Sequence, residues 1–343
     1  MQRCFDLARL GRGFASPNPL VGAVIVYQNR IIGEGYHQQY GGPHAEVNAI
    51  NSIQPEDRKL LPHSTLYCSL EPCTIFGRTP PCCDLIIKKQ IPNVVLSYID
   101  HTPGVDGLSI EKMRAAGIEV TLNVLLEKGK QLSAARNTFV RLQRPYIILK
   151  YAHSRDGFIA PAYGEDYWLT NSFSKRLVHK WRGEIDAILV GTQTALIDNP
   201  QLTNRLFHGP DPLRLVIDKQ GRLPPSLHLF DGKVPTCVYT YQQEPNLQKA
   251  KLEFIPLDSQ QSDLKQILQH LHSINKMILL VEGGARLLSS FMEQGLWDEA
   301  RIFESPKRLG EGIPAPKCPN GQREEHFQLQ EDQLRVIYRT DSF

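Results

Sequence analysis

No uninterrupted apolar run in this 343-residue sequence approaches the roughly 18 residues that a membrane-crossing helix needs. The opening Met1-Gln2-Arg3-Cys4-Phe5-Asp6 has none of the apolar core that a secretory leader carries. An excess of one charge is also missing. The 39 Lys and Arg against 36 Asp and Glu leave only +3, short of the concentrated basic footprint of a nucleic-acid binder. Cysteine is scarce and irregular, with seven residues at 4, 68, 73, 82, 83, 237 and 318. An odd set with such gaps is no disulfide framework. The expectation is a cytoplasmic protein with no membrane and no nucleic-acid partner, whose reduced thiols are open to metal. The 41% of hydrophobic residues suffices for a packed core, and the length suits about two domains.

Residues 4–11 read as a short helix, and Ala15-Ser16-Pro17-Asn18-Pro19 as a turn ahead of an apolar strand from Val21 to Tyr27. Gln28-Asn29-Arg30 predicts a hairpin return into Ile31-Ile32. After Gly41-Gly42-Pro43, apolar residues at 45, 49 and 53, and at 47 and 50, follow helical spacing behind an entry proline. His44 and Glu46 are therefore expected in a first helical turn. Strands are predicted at 65–70 and 94–97, and helices at 82–89 and 110–116, the second stopped by Gly117. This alternation predicts a mixed or parallel sheet covered on both faces. The segment 127–144 has a helical pattern, and the strand Tyr146-Ile147-Ile148-Leu149-Lys150 starts just after Pro145. We place the boundary there, giving domains 1–144 and 145–343. The second domain is also expected to be α/β, with strands at 187–191, 213–218 and 277–282, helices at 172–181 and 285–294, and a polar surface segment at 242–248.

Three features of the first domain converge: His44-Ala45-Glu46, Pro72-Cys73 and Cys82. A catalytic zinc takes three protein ligands and leaves its fourth position to water. In zinc deaminases one imidazole, two thiolates and a glutamate that does not bind the metal divide the task. His44, Cys73 and Cys82 supply the donors, and Glu46 supplies the proton carrier. Each donor is expected at or near a helix start, where the helix dipole favours a thiolate. Such an ion lowers the pKa of water from 15.7 to about 7. Glu46 is expected to carry the proton to the ring nitrogen before the exocyclic amine leaves as ammonia. A structural zinc would be closed by a fourth Cys or His. Cys83 competes with Cys82 as the third donor, and the sequence leaves that choice open.

The general zinc deaminase pattern separates its cysteines by two residues, whereas eight separate Cys73 from Cys82. The run Glu71-Pro72-Cys73-Thr74-Ile75-Phe76-Gly77-Arg78-Thr79-Pro80-Pro81-Cys82 resembles the long cysteine loop of the bifunctional riboflavin-biosynthesis deaminase/reductase family, as does Pro17-Asn18-Pro19-Leu20-Val21-Gly22. Asp198-Asn199-Pro200-Gln201-Leu202-Thr203-Asn204-Arg205 and Val281-Glu282-Gly283-Gly284-Ala285 resemble its reductase domain, so the likeness covers almost the whole chain. It implies an α/β fold in which a cytidine-deaminase-like three-layer domain precedes a dihydrofolate-reductase-like α/β domain. It also implies Zn2+ and NADPH as cofactors, a small-molecule phosphoribosylaminopyrimidine substrate, and a homo-oligomer. The reactions implied are deamination of 2,5-diamino-6-(5-phosphoribosylamino)pyrimidin-4-one and then reduction of the ribosyl side chain to ribityl.

Matched residue by residue, the resemblance assigns NADP contacts to His153, Trp168, Thr194, Asp198 and Gly284, and substrate contacts to Asp166, Arg182, Leu202, Arg205 and Glu282. Arg182 and Arg205 are expected to grip the phosphate as planar forks, and Glu282 to bond ribose or ring donors. Asn18 and Arg78 join the substrate set in the first domain, an amide for ring edges and a guanidinium for phosphate. Asn18, between two prolines, equally suits a turn. The strand-Gly283-Gly284-helix run suits close backbone approach to an anion. Gly11-Arg12-Gly13-Phe14-Ala15-Ser16 precedes the first strand and is no dinucleotide loop. Two stretches depart from the family. Arg155, in Ser154-Arg155-Asp156-Gly157, stands where an apolar residue is common, and 100–107 matches only part of an Asp-Pro-Asn-Pro run. The alternative reading is a zinc deaminase of nucleosides or tRNA with a degenerate second domain. The long cysteine loop, the modest charge and the attached second half weigh against it.

Overall fold

The structure, a computed structural model, describes the chain apart from residues 78–79, 163–166, 243–249 and 340–343. All but Gln242 of the polar segment expected at 242–248 thus lies outside the described residues, as do Arg78 and Asp166. The chain divides between Gln143 and Arg144 into two compact units. No helix among the described residues is long and apolar enough to cross a membrane.

The first unit runs α1 (Gln2–Arg9), β1 (Gly22–Tyr27), β2 (Arg30–Tyr36), α2 (Ala45–Asn51), β3 (Thr65–Cys68), α3 (Cys82–Lys88), β4 (Asn93–Leu96), α4 (Leu108–Ala115), β5 (Glu119–Thr121) and α5 (Leu126–Arg141). Gln28 and Asn29, at φ 46° and 64°, close the β1–β2 hairpin, the left-handed pair that a tight two-residue turn requires. The sheet is mixed, in the order β2-β1-β3-β4-β5, with β1 antiparallel to both neighbours and β3, β4 and β5 parallel. Successive β1 side chains face opposite ways. Ala23 and Ile25 join the core beneath α2, α3 and α4, while Val24 and Val26 pack with Cys4 and Leu7 of α1. Helices therefore cover both faces. Where α2 crosses β2 the strand carries no side chain at two positions, since a Cβ on Gly33 would stand 2.5 Å from the Ala49 carbonyl oxygen and one on Gly35 2.5 Å from its nitrogen. The helix lies directly on β2 for that reason.

The second unit runs β6 (Tyr146–Ser154), β7 (Phe158–Pro161), α6 (Ser172–Arg182), β8 (Ala187–Gly191), α7 (Thr192–Asp198), β9 (Leu213–Ile217), β10 (Thr236–Thr240), β11 (Leu252–Pro256), α8 (Asp263–Ser273), β12 (Ile278–Glu282), α9 (Ala285–Glu293), β13 (Glu299–Ser305), β14 (Gly312–Pro314), β15 (Arg323–Leu329) and β16 (Asp332–Tyr338). Nine strands form one sheet, β11-β10-β9-β8-β12-β6-β13-β16-β15. It is parallel from β11 to β13 and antiparallel through β16 and β15. Ile147, Leu149 and Tyr151 of β6 share a core with Leu264, Ile267 and Leu268 of α8 and Leu288 and Phe291 of α9. The opposite face holds Val178 and Trp181 of α6 against Phe303 and Val336. In a covered parallel sheet the strand C-termini open onto loops, where ligands bind.

Candidate metal centre and cofactor site

His44 is the N-cap of α2 in extended backbone and Glu46 lies in its first turn, so the histidine sits one residue ahead of the helix in which the sequence placed it. Cys82 opens α3. Cys73 is on no helix start. It lies in the loop after β3, but its sulfur accepts the Cys82 backbone N–H at 3.3 Å and so still meets the positive end of α3. The Nδ1 of His44 lies 3.5 Å from Cys73 Sγ and 3.3 Å from Cys82 Sγ. All three donor atoms fall within 4.8 Å of one another. Donors on one tetrahedral zinc, at about 2.3 Å for sulfur and 2.0–2.1 Å for nitrogen, stand roughly 3.5 Å apart, so this set fits the ion. Cys83 turns away into the apolar core, its sulfur 3.4 Å from an Asp84 carboxylate oxygen.

The electrostatics suit the chemistry. A hydrogen bond from Cys82 holds the Cys73 thiol down to about 4 against the effect of burial, and His44 adds to the depression. The same bond and burial push Cys82 the other way, so one sulfur of the pair ionises readily. The bond to Cys73 raises the His44 imidazole. Glu46 is 3% exposed. Burial pushes it up to about 7, with the Cys73 charge adding to the rise and His44 opposing it.

Two groups around this centre carried no expectation from the sequence. The ring of His37 meets that of His44 edge-on at 5.4 Å. Its Nδ1 lies 3.0 Å from the Pro43 carbonyl oxygen, and its Nε2 lies 3.0 Å from Asn18 Nδ2. Asn18 is thus brought beside the metal ligands through His37. Buried Glu71, in the Glu71-Pro72-Cys73 run, accepts from the N–H groups of Asp100, Gly107 and Ser109 and from the Ser109 hydroxyl. It ties the cysteine loop to the 100–107 loop that departs from the family. Nothing in the local sequence marks His37, whereas a glutamate directly ahead of Pro-Cys is a visible signal.

In the second unit His153, Thr194, and Glu282 with Gly284 lie at or just past the C-terminal ends of β6, β8 and β12. Gly284 caps α9, and its N–H donates to Thr194 Oγ1 at 3.0 Å, joining two residues from which NADP contacts are expected. Asp198 closes α7, and His153 Nδ1 lies 2.8 Å from the Ser154 carbonyl oxygen. Trp168 is 60% exposed, with the Lys175 ammonium 4.3 Å above its ring and Lys307 donating to its carbonyl. Arg182 donates to both oxygens of Glu282, at 3.2 and 2.9 Å, and to the Thr203 carbonyl. Its fork therefore faces the Glu282 carboxylate. Burial opposes ionisation of Glu282, but the charges of Arg182 and Lys150 outweigh it and hold the carboxyl below its ordinary value.

Lys150, whose own pKa burial lowers, belongs to this cluster although the sequence reading gave it no role. A lone cation closing an apolar strand is the signal for it. Leu202 is buried at φ 54°, and Arg205 is exposed with Nη1 on Gln201 Oε1 and Thr203 Oγ1. At the Arg155 departure the backbone N–H of Arg155 donates to the Lys307 carbonyl, while Asp156 accepts from Ser154 Oγ and the N–H groups of Leu309 and Gly310.

Known proteins resemble the chain on both sides of the divide. The profile of the cytidine and deoxycytidylate deaminase zinc-binding region matches residues 1–98, and that of the RibD C-terminal domain matches residues 145–338. The riboflavin biosynthesis protein RibD of Aquifex aeolicus (strain VF5) is 39% identical over 316 residues, covering 91% of this chain and 88% of that protein. Its counterpart in Escherichia coli (strain K12) is 34% identical over 325 residues, covering 90% and 88%. The crystal structure of a diaminohydroxyphosphoribosylaminopyrimidine deaminase/5-amino-6-(5-phosphoribosylamino)uracil reductase from Thermotoga maritima superposes with a TM-score of 0.90 at 36% identity, covering 99% of this chain and 97% of that one. With both halves accounted for, the chain belongs to the RibD family of bifunctional riboflavin-biosynthesis enzymes, a zinc-dependent deaminase domain followed by an NADPH-dependent reductase domain.

Proposed function

We propose that the first unit deaminates a pyrimidine carrying a ribosylamino 5-phosphate, and that the second reduces the ribosyl group of the deaminated product to ribityl. The observation that carries this reading is the convergence of His44, Cys73 and Cys82 with buried Glu46 beside them. A zinc ion on those three donors supplies Lewis-acid activation of water near neutral pH. The Cys82 backbone N–H and the imidazole stabilise the Cys73 thiolate. Glu46, poised at about 7, both takes and returns a proton at working pH. It moves the proton of the attacking water to the ring nitrogen and then a proton to the amino group, so that the C–N bond breaks with loss of neutral ammonia. Asn18, held by His37, reads the ring, and Arg78 takes the phosphate. Both roles rest on the match to the family.

NADPH, when bound, supplies the hydride for the second step. Gly283 and Gly284 let the start of α9 approach an anionic group of the cofactor, with His153, Trp168, Thr194 and Asp198 completing its contacts. On the substrate side, Glu282 is kept ionised by Arg182 and Lys150, an acceptor for sugar or ring donors. Arg205 offers its guanidinium to the phosphate, and Leu202 and Asp166 complete the substrate contacts that the match to the family assigns. Arg182 orients Glu282 and, by the match to the family, joins it among the substrate contacts. The seven free cysteines support a cytoplasmic location, and a homo-oligomer is expected by size-exclusion chromatography. Supplying the diaminopyrimidine phosphate with and without NADPH, and weighing the products, tests the reading. Exchange of the amine for oxygen is expected in both cases, and gain of two hydrogens only with NADPH. An unchanged substrate in the presence of zinc-loaded protein refutes it.

A further inference from the structure

The 199–209 segment, between α7 and β9, has no regular structure and is held by separate tethers. The Asn199 side chain accepts from His228 N, Arg214 donates to the Gln201 carbonyl, Arg182 donates to the Thr203 carbonyl, and Asn204 N donates to Asp211. The last tether before the exposed run 205–208 comes from α6. The Arg205 backbone N–H donates to His179 Nδ1 at 3.0 Å. His179 is 2% exposed. An imidazole nitrogen accepts only on a neutral ring with its proton on Nε2. Burial, and then the charges of Arg182 and Arg205, keep this ring neutral by pushing it down to about 4. Beyond the amide, the Arg205 side chain bonds Gln201 and Thr203 through Nη1. Among the described residues that leaves the Nε–Nη2 edge for two oxygens of one anion.

We propose that His179 is the positioning residue that presents Arg205 to the substrate phosphate in the reductase unit, an inference that rests on the reduction proposed above. The imidazole never touches the substrate. It fixes the main chain at residue 205, so that the guanidinium meets the phosphate already oriented, and its loss falls on phosphate binding rather than on hydride transfer.

The experiment measures reduction of the deaminated substrate and of its dephosphorylated riboside by wild type, H179A, H179N, H179Q and R205A. Asparagine places an acceptor where Nδ1 stands, glutamine one carbon farther out. For the phosphorylated substrate, H179A is expected to raise KM about tenfold with kcat within about twofold, and H179N to restore most of that loss. On the riboside, wild type and H179A should be equal, and the Kd for NADPH unchanged. An H179A loss that is equal on both substrates, or absent, overturns the inference. If H179A fails to fold, H179N and H179Q carry the test, and equal KM values for that pair overturn it. R205A separates the two levels. A phosphate-specific loss in R205A without one in H179A sinks only the positioning role, whereas no loss in R205A sinks the assignment of Arg205 itself.

Discussion

Replacing Glu46 with glutamine changes one oxygen to an amide nitrogen in a side chain that is 3% exposed and touches the metal ligands electrostatically. Volume and shape are kept, so α2 and the donor set should stay in place. What disappears is a group that burial holds at about 7, able to accept and return a proton in the same cycle. General acid–base catalysis contributes about 10²–10⁴-fold. Glu46 serves both the water and the leaving amine, so the loss should lie at the upper end, about 5 kcal/mol of transition-state stabilisation. Ammonia release by the purified E46Q protein should fall at least 10³-fold by this estimate, and zinc content should remain one ion per chain. Reduction of separately supplied deaminated substrate should be unaffected, because it belongs to the other unit. Deamination within tenfold of wild type, with zinc present, would refute the proton-carrier argument.

Cys82→Ser should purify with little zinc, whereas Cys83→Ser should keep a full complement, because Cys82 faces His44 and Cys83 turns toward Asp84; metal analysis decides. Glu282→Gln leaves Arg182 and Lys150 without their counter-charge in a pair whose side chains are 12% and 13% exposed. A loss of about 3 kcal/mol is expected, read as a lower urea midpoint for the second unit, and an unchanged midpoint would contradict it. For His179 the folded ring sits near 4 against an ordinary 6.5. Between those values the unfolded chain takes up a proton that the folded one refuses, so stability present above pH 6.5 declines as pH falls toward 4. The second unit's urea midpoint should drop from pH 7.5 to 5 and drop less in H179N; equal slopes would exclude the assignment.

The metal centre was legible because the residue types that hold zinc are few and their chemistry is restrictive. The His44, Cys73 and Cys82 positions needed no knowledge of the fold. The α/β alternation was equally plain wherever a strand is buried, as in Tyr146–Leu149 or Leu279–Val281. β15 illustrates the limit. Arg-Glu-Glu-His-Phe-Gln-Leu at 323–329 lies largely exposed at the sheet edge, so no core selects its side chains and no alternation marks it. α8 does carry a signal in Leu264, Ile267, Leu268 and Leu271, all buried on one stripe. Pairings across the chain leave no local trace. Arg182 with Glu282 are 100 residues apart and His179 with Arg205 are 26 apart, and the polarity of each alone fits an ordinary surface residue.

The bare floor that Gly33 and Gly35 provide beneath α2 has a consequence for how the deaminase can fail. The imidazole that binds the ion and the carboxyl that ferries protons travel on the same short rod, one at its cap and one in its opening turn. Lifting that rod by even a single methyl displaces both at once relative to the two sulfurs, which belong to other segments. Damage to this seat should therefore abolish metal capture and proton transfer together, with no variant at either glycine that keeps one while losing the other.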